Sequence, residues 1–156
     1  MHNTSSTPIG VLYATPSGTT FENMNPAYRI YDIDYTDQFN VVDIENYYAD
    51  LTVATEEHPP EWKLLYSAKE EYKLTDLSPS SWNNLVKKIF EDEETATKFF
   101  RQVNAFRVSE PLCDEICRSG ILCSLRSGHH NMSLYCPDNY ALPPPPDFEF
   151  RGNSHA

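Results

Sequence analysis

Four cysteines, Cys113, Cys117, Cys123 and Cys136, crowd into one stretch near the C-terminus, and the last two enclose His129-His130. Thiolates and imidazoles are the ligands zinc prefers, so this is the densest group of candidate metal ligands in the chain. An even number of closely spaced cysteines equally suits two disulfides formed in an oxidising compartment. The spacing lacks the paired CxxC or HxxxH knuckles of common zinc modules, which favours disulfides, with the histidines on a loop beside Gly128. Four cysteines allow three pairings.

The other groups able to do chemistry are more scattered. Asp32 and Asp34 share one face of a predicted strand, but a binuclear metal hydrolase needs several Asp, His and Asn ligands converging on two ions. No HxH or GNH group accompanies them, so a solvated acidic strand edge is the better reading. The acidic run Glu91 to Glu94 lacks the Asp-x-Asp loop with a central Gly that calcium requires, and reads as a solvated helix start. His58 precedes two prolines with no acid or nucleophile nearby, and His2 and His155 lie at the termini. Asn3-Thr4-Ser5 and Asn131-Met132-Ser133 are sequons, which make Asn3 and Asn131 glycosylation candidates and fit a secretory route. The residues by themselves define no catalytic site and no metal site.

The elements that would carry these groups change character along the chain. Ile9 to Tyr13 is a short apolar run closed by Pro16-Ser17-Gly18. Asn25-Pro26 marks a turn into a strand from Tyr28 to Asp34, with Tyr28, Ile30 and Asp32 on one face and Arg29, Tyr31 and Ile33 on the other. Tyr35-Thr36-Asp37 supplies a turn towards a partner strand from Phe39 to Val42, and no helix signal precedes about Ile44. After His58-Pro59-Pro60, Trp62, Leu65, Tyr66 and Tyr72 fall at helical spacing. Ser78 suits an N-cap and Pro79 the first helical position, ahead of a stripe formed by Trp82, Leu85, Val86, Ile89 and Phe90. A further helix begins in Glu91 to Glu94, with Ala96, Phe99, Phe100 and Val103 as its apolar face. These stripes predict three mutually packed helices. The end of the chain, from Pro143, opens with four prolines, turns polar and has little to bury.

Composition narrows the function classes. The chain of 156 residues suffices for one domain, and ten Tyr, eight Phe and two Trp argue for a folded core. Twelve basic residues against 23 acidic ones leave a formal charge of -11, which repels nucleic acid and opposes adsorption to anionic lipid. No run approaches the roughly 18 apolar residues of a transmembrane segment. No signal peptide is visible at Met1, in conflict with the cysteines, and a missing N-terminal portion would reconcile the two.

The order of several motifs resembles the acid sphingomyelinase-type phosphodiesterases, members of the metallophosphoesterase family. Pro16-Ser17-Gly18-Thr19-Thr20-Phe21 is similar to that family's Pro-Ser-x-Thr-Thr-Tyr, and Asn25-Pro26-Ala27-Tyr28-Arg29-Ile30-Tyr31 to its Asn-Pro-Gly-Tyr-Arg-x-Tyr. Tyr47 to Thr52 resembles Tyr-x-x-Asn-Leu-Thr, with Asp50 where the family has a glycosylated Asn. Trp62 to Tyr72 resembles Trp-x-Leu-Leu-Tyr-x-Ala-Arg-Glu-x-Tyr, and Ser81 to Val86 resembles Ala-Trp-His-Asn-Leu-Val. Cys113-Asp114-Glu115-Ile116-Cys117-Arg118, then Cys123 and Cys136, follow the family's C-terminal cysteine pattern.

The resemblance covers Val11 to Cys136, the C-terminal region of such enzymes only. It implies an α+β fold: residues 1–56 as the last strands of a metallophosphoesterase β-sandwich, 57–139 as a helical, disulfide-bonded subdomain, and 140–156 as a Pro-rich disordered tail. It pairs Cys113 with Cys117 and Cys123 with Cys136, and puts Phe21 at the substrate rim, without the hydroxyl of the family's Tyr. The intact enzymes use two zinc ions to release ceramide and phosphocholine from sphingomyelin. Their metal ligands, ending in a Gly-His-x-His motif, and their general-acid His lie upstream of the matching region, so this chain holds no zinc of its own. Its partner is then the remainder of the catalytic domain, sphingolipid is met only in the intact enzyme, the parent is secreted or lysosomal, and Met1 is an internal methionine or the start of a truncated product. The alternative is a stand-alone secreted helical module that binds lipid or protein.

Overall fold

The computed structural model describes residues 7–20, 24–103, 105, 113–128 and 136. The Pro-rich tail, Phe21, both sequon asparagines, His2, His129, His130 and His155 lie outside them. The fold is α+β. Strands β1 (Ala27–Asp34), β2 (Asn40–Ala49) and β3 (Trp62–Ser67) form an antiparallel sheet in that order, and helices α1 (Ala68–Tyr72), α2 (Pro79–Glu91), α3 (Glu93–Val103) and α4 (Glu115–Leu125) follow.

The β1–β2 hairpin turns where the polar residues dictate. Asp34 accepts hydrogen bonds from Thr36 N at 2.8 Å and Thr36 Oγ1 at 2.6 Å, and Gln38 and Phe39 take positive φ. β2 is longer than the sequence suggests, running on through Ile44 to Ala49. The segment from Ile9 to Tyr13, which reads as a strand, pairs with none, and Ile9 and Leu12 stand almost fully in solvent.

The largest correction concerns Trp62 to Tyr66. These residues form strand β3, not a helix, so the expected packing of their stripe against α2 as a second helix does not occur. A bulge explains the misreading. Tyr47 pairs with Leu64 and Asn46 with Tyr66, which leaves Leu65 between two rungs and breaks the period-2 alternation into something that mimics helical spacing. The helix begins only at Ala68, with Ser67 as its N-cap accepting from Glu70 N.

α2 begins as its sequence predicts. Ser78 caps it, accepting from Ser81 N, and Pro79 occupies the first turn. Leu85, Val86 and Ile89 are buried, and Leu85 and Ile89 form a core with Ala96 of α3 and Cys113. Trp82, Phe99, Phe100, Tyr72 and Ile121 pack around it. Val103, expected on the same face of α3, is 56% exposed and takes no part. α4 lies in a stretch where the sequence shows no helical stripe. A second cluster, Ile44, Ala68 and Leu77 with Tyr13, Tyr31, Tyr66 and Trp82, joins one face of the sheet to the helices.

Candidate functional site

The arrangement is built on the sheet. Antiparallel partners share a face, so Arg29 and Tyr31 of β1, Ile44 and Asn46 of β2 and Tyr66 of β3 point together towards the helices. Arg29 Nε donates to Asn46 Oδ1 at 2.9 Å, its Nη1 donates to Ala14 O at 2.9 Å, and its guanidinium lies 5.9 Å from the centroid of the Tyr31 ring. Tyr13 meets Tyr31 and Trp82 edge to face, accepts from Trp82 Nε1 at 3.1 Å and donates to Leu77 O. One arginine and one tyrosine thereby fasten residues 13–14 to both sheet and α2.

Burial governs the ionisation of these phenols. It pushes the Tyr66 hydroxyl up, against a smaller pull down from Arg29, and raises Tyr13 against its bond from Trp82. Tyr72, which donates to Gln102, is raised for the same reason. Burial thus favours the protonated, hydrogen-bonding form of these hydroxyls.

At the far end of the sheet Asp43 accepts from Ser67 Oγ at 2.7 Å and from Lys69 N at 3.1 Å, holding α1 against β2. Partial burial raises its pKa, but the hydrogen bonds from Ser67, Ile44 N and Lys69 N outweigh that and leave it below the usual carboxylate value. Asp76, bonded by the side chains of Ser78 and Ser81 and by Ser78 N, is lowered to about 2. Neither Asp43 nor the Arg29–Asn46 pair stands out in the sequence. Only their cross-strand partners identify them, Asn46 opposite Arg29 on the helix-facing side and Asp43 beside Ser67 on the other.

The structure joins Cys113 to Cys117 and Cys123 to Cys136, with Cα separations of 5.2 and 4.6 Å. Asp114 caps α4 by accepting from Cys117 N, and Thr97 Oγ1 accepts from Cys113 N at 2.9 Å. The first disulfide thus sits in the helical core, where Cys113 is fully buried. Sulfurs in disulfides offer no thiolate to a metal. Asp34 is engaged by Thr36, and Asp50 by Thr52 N and Oγ1. His58 donates its N–H to Thr55 Oγ1 and lines a shallow hollow of about 360 Å³ with Asp50, Glu57, Glu61 and Lys63. Among the described residues no three His, Cys, Asp or Glu gather as metal ligands, so the donor set does not fit the zinc that the resemblance implies for the intact enzymes. No described helix is long and apolar enough to cross a membrane.

The comparisons agree with one assignment. The family described as acid sphingomyelin phosphodiesterase C-terminal region matches residues 7–141. Sphingomyelin phosphodiesterase 1 of Caenorhabditis elegans is 53% identical over 88% of this chain and 24% of its own length. The human sphingomyelin phosphodiesterase is 37% identical over 85% of the chain and 22% of its own length. Sphingomyelin phosphodiesterase A of Dictyostelium discoideum is 34% identical over 78% and 21%. The chain belongs to the acid sphingomyelin phosphodiesterase family, as its C-terminal region. It spans about a quarter of the length of these relatives.

Proposed function

We propose that the chain is the C-terminal part of a zinc-dependent phosphodiesterase acting on sphingomyelin or a related phosphodiester, that its role there is structural, and that it has no hydrolytic activity alone. In this reading residues 1–56 supply closing strands to a catalytic sandwich, 57–139 form the disulfide-bonded subdomain that buttresses it, and 140–156 are a tail. β2 and β3 pair across the 56/57 division, so the two parts share one sheet. Phe21 stands at the substrate rim, Asn3 and Asn131 carry glycans, and the intact protein is secreted or lysosomal.

The observation that carries the reading is the match over residues 7–141 to proteins about four times longer whose names specify the activity. The exposed side chains of Ile9 and Leu12 support it, because apolar residues left in solvent suit a surface covered by other chain. The test is turnover of sphingomyelin by the purified chain with and without zinc. No turnover in either condition is expected. Zinc-dependent turnover lost on mutating residues of this chain would refute it.

A further inference from the structure

The tip of the β1–β2 hairpin carries its apolar side chains in solvent. Tyr35 is 78% exposed and Phe39 71%, and neither belongs to the two core clusters. Ile33 and Val42, just behind them on the two strands, are exposed as well. Scattered apolar residues at a surface need no explanation. The backbone here does. Asn40 N donates to Asp37 O at 3.0 Å, closing a turn whose central residues, Gln38 and Phe39, take φ of 52° and 59°. Two successive positive φ values are what Asn-Gly ordinarily supplies, because in that conformation a β-carbon crowds the following carbonyl. A register shift between Asp32 and Ile33 also leaves Val42 as an extra residue on β2. The chain therefore holds a bulky ring in water on strained backbone, with no packing gained in return.

We infer that this tip, with Tyr35 and Phe39 at its apex, docks on the surface of a phosphocholine lipid bilayer, the two rings entering the interfacial layer. The inference goes beyond the proposed function and does not depend on it. Ring chemistry and charge select this occupant. A projecting tip with one phenol and one phenyl ring suits the headgroup boundary, where amphipathic and apolar rings are accommodated. No Lys or Arg occurs from Ile30 to Trp62, so the hairpin offers no cation to anionic headgroups. Its own charges are the carboxylates of Asp34 and Asp37, held by Thr36 N and Oγ1 and by Asn40 Nδ2. The outermost charge of a phosphocholine bilayer is the choline ammonium, which carboxylates attract and aromatic faces bind. A second copy of the chain would set like carboxylates against these, on a molecule of formal charge -11.

Co-sedimentation of the purified chain with phosphatidylcholine vesicles tests the contact, with phosphatidylserine vesicles as the contrast. The chain should partition onto the former and stay in solution with the latter. Phe39→Gly removes the ring and relieves the backbone. It should lower partitioning about tenfold while raising the melting midpoint by about 2–4 °C. Gln38→Gly relieves the neighbouring residue and keeps the ring, so the midpoint should rise alike with partitioning unchanged. No sedimentation with phosphatidylcholine, equal sedimentation with phosphatidylserine, or a Phe39→Gly variant that partitions like the wild type overturns the inference. So does a destabilised Phe39→Gly variant, since the ring would then serve the fold. Hydroxyl-radical labelling of Tyr35 and Phe39 without vesicles reads the other occupants. Protection lost on dilution assigns the tip to a second copy. Protection in a chimera, with residues 7–141 replacing the matching region of full-length C. elegans sphingomyelin phosphodiesterase 1, assigns it to the parent. Either result overturns the inference. Hydrolysis enters none of these readouts, so the docking surface and the proposed function fail separately.

Discussion

Asp43 and Ser67 lie on adjacent strands, and the serine hydroxyl donates to the carboxylate at 2.7 Å while also capping α1. The bond therefore sets where β3 ends and the helix begins. Because the folded pKa of Asp43 lies below its ordinary value of about 3.9, the unfolded chain binds more protons in that range. The stabilisation is complete above the unfolded pKa and is lost as pH falls through the folded one. Asp34, Asp76 and Asp92 act with the same sign. Asp43→Asn should cost about 1–3 kcal/mol at neutral pH and reduce the fall in stability below about pH 4. Urea melts at a series of pH values check it, and an unchanged acid slope would assign the dependence to the other carboxylates.

The helical core makes a contrast within one structure. Leu85 is buried between α2 and α3, whereas Val103 on α3 is mostly exposed. Leu85→Ala should cost about 2–5 kcal/mol through lost burial and a cavity, and Val103→Ala less than about 0.5 kcal/mol. Thermal melts beside a liposome sedimentation assay distinguish core from lipid contact. Were the α2 stripe a membrane-binding face, Leu85→Ala would spare the melt and weaken sedimentation.

What the sequence could reveal depended on how local each signal was. The start of α2 was legible because Ser78 and Pro79 act within one turn, and its buried stripe because every member lies on one unbroken helix. β3 was not, since the bulge at Leu65 is fixed by pairing with β2, and Leu and Lys are good helix formers in their own right. α4 escaped because its apolar residues are divided: Ile116 is 78% exposed while Cys123 is buried. The Arg29–Asn46 pair needed a cross-strand register that no periodicity supplies. The chemistry proposed for the parent, by contrast, was accessible only through motif order, since no cluster of metal ligands gathers among the described residues.

The two disulfides should differ in weight. Cys123–Cys136 closes a loop of 13 residues and Cys113–Cys117 one of four. On the loop-entropy account these stabilise by about 3 and about 2 kcal/mol respectively. Cys117→Ser, which leaves buried Cys113 in place, should therefore lower stability less than Cys136→Ser. Guanidinium melts of the two variants measure the difference, after mass mapping of a non-reduced digest has confirmed the pairing in the wild type. Finding Cys117 joined to Cys123 would remove the basis of the comparison.

Arg29 gives the sharpest test of how the N-terminal segment is held. Its guanidinium serves Asn46 and Ala14 at once, and Asn46 is almost fully buried, with no hydrogen-bond partner for its Nδ2 among the described residues. Arg29→Met would leave Asn46 Oδ1 without its donor as well, for about 1–3 kcal/mol of desolvation that is no longer compensated. Asn46→Leu alone removes that buried amide but strands the guanidinium on one side. In a double-mutant cycle the pair should therefore couple by about 0.5–3 kcal/mol, the range for residues in direct contact. The second consequence is local. With the bond to Ala14 O gone, residues 7–17 should be cut by protease faster than in the wild type under conditions where β1 and β2 remain protected, because the segment then keeps only the contacts of Tyr13 and the bond from Ala27 N to Ser17 O among the described residues. Asn46→Leu retains the Ala14 contact and should leave the cleavage rate near the wild-type value. Equal acceleration in both variants would mean that the segment follows global stability, and that Arg29 does not anchor it.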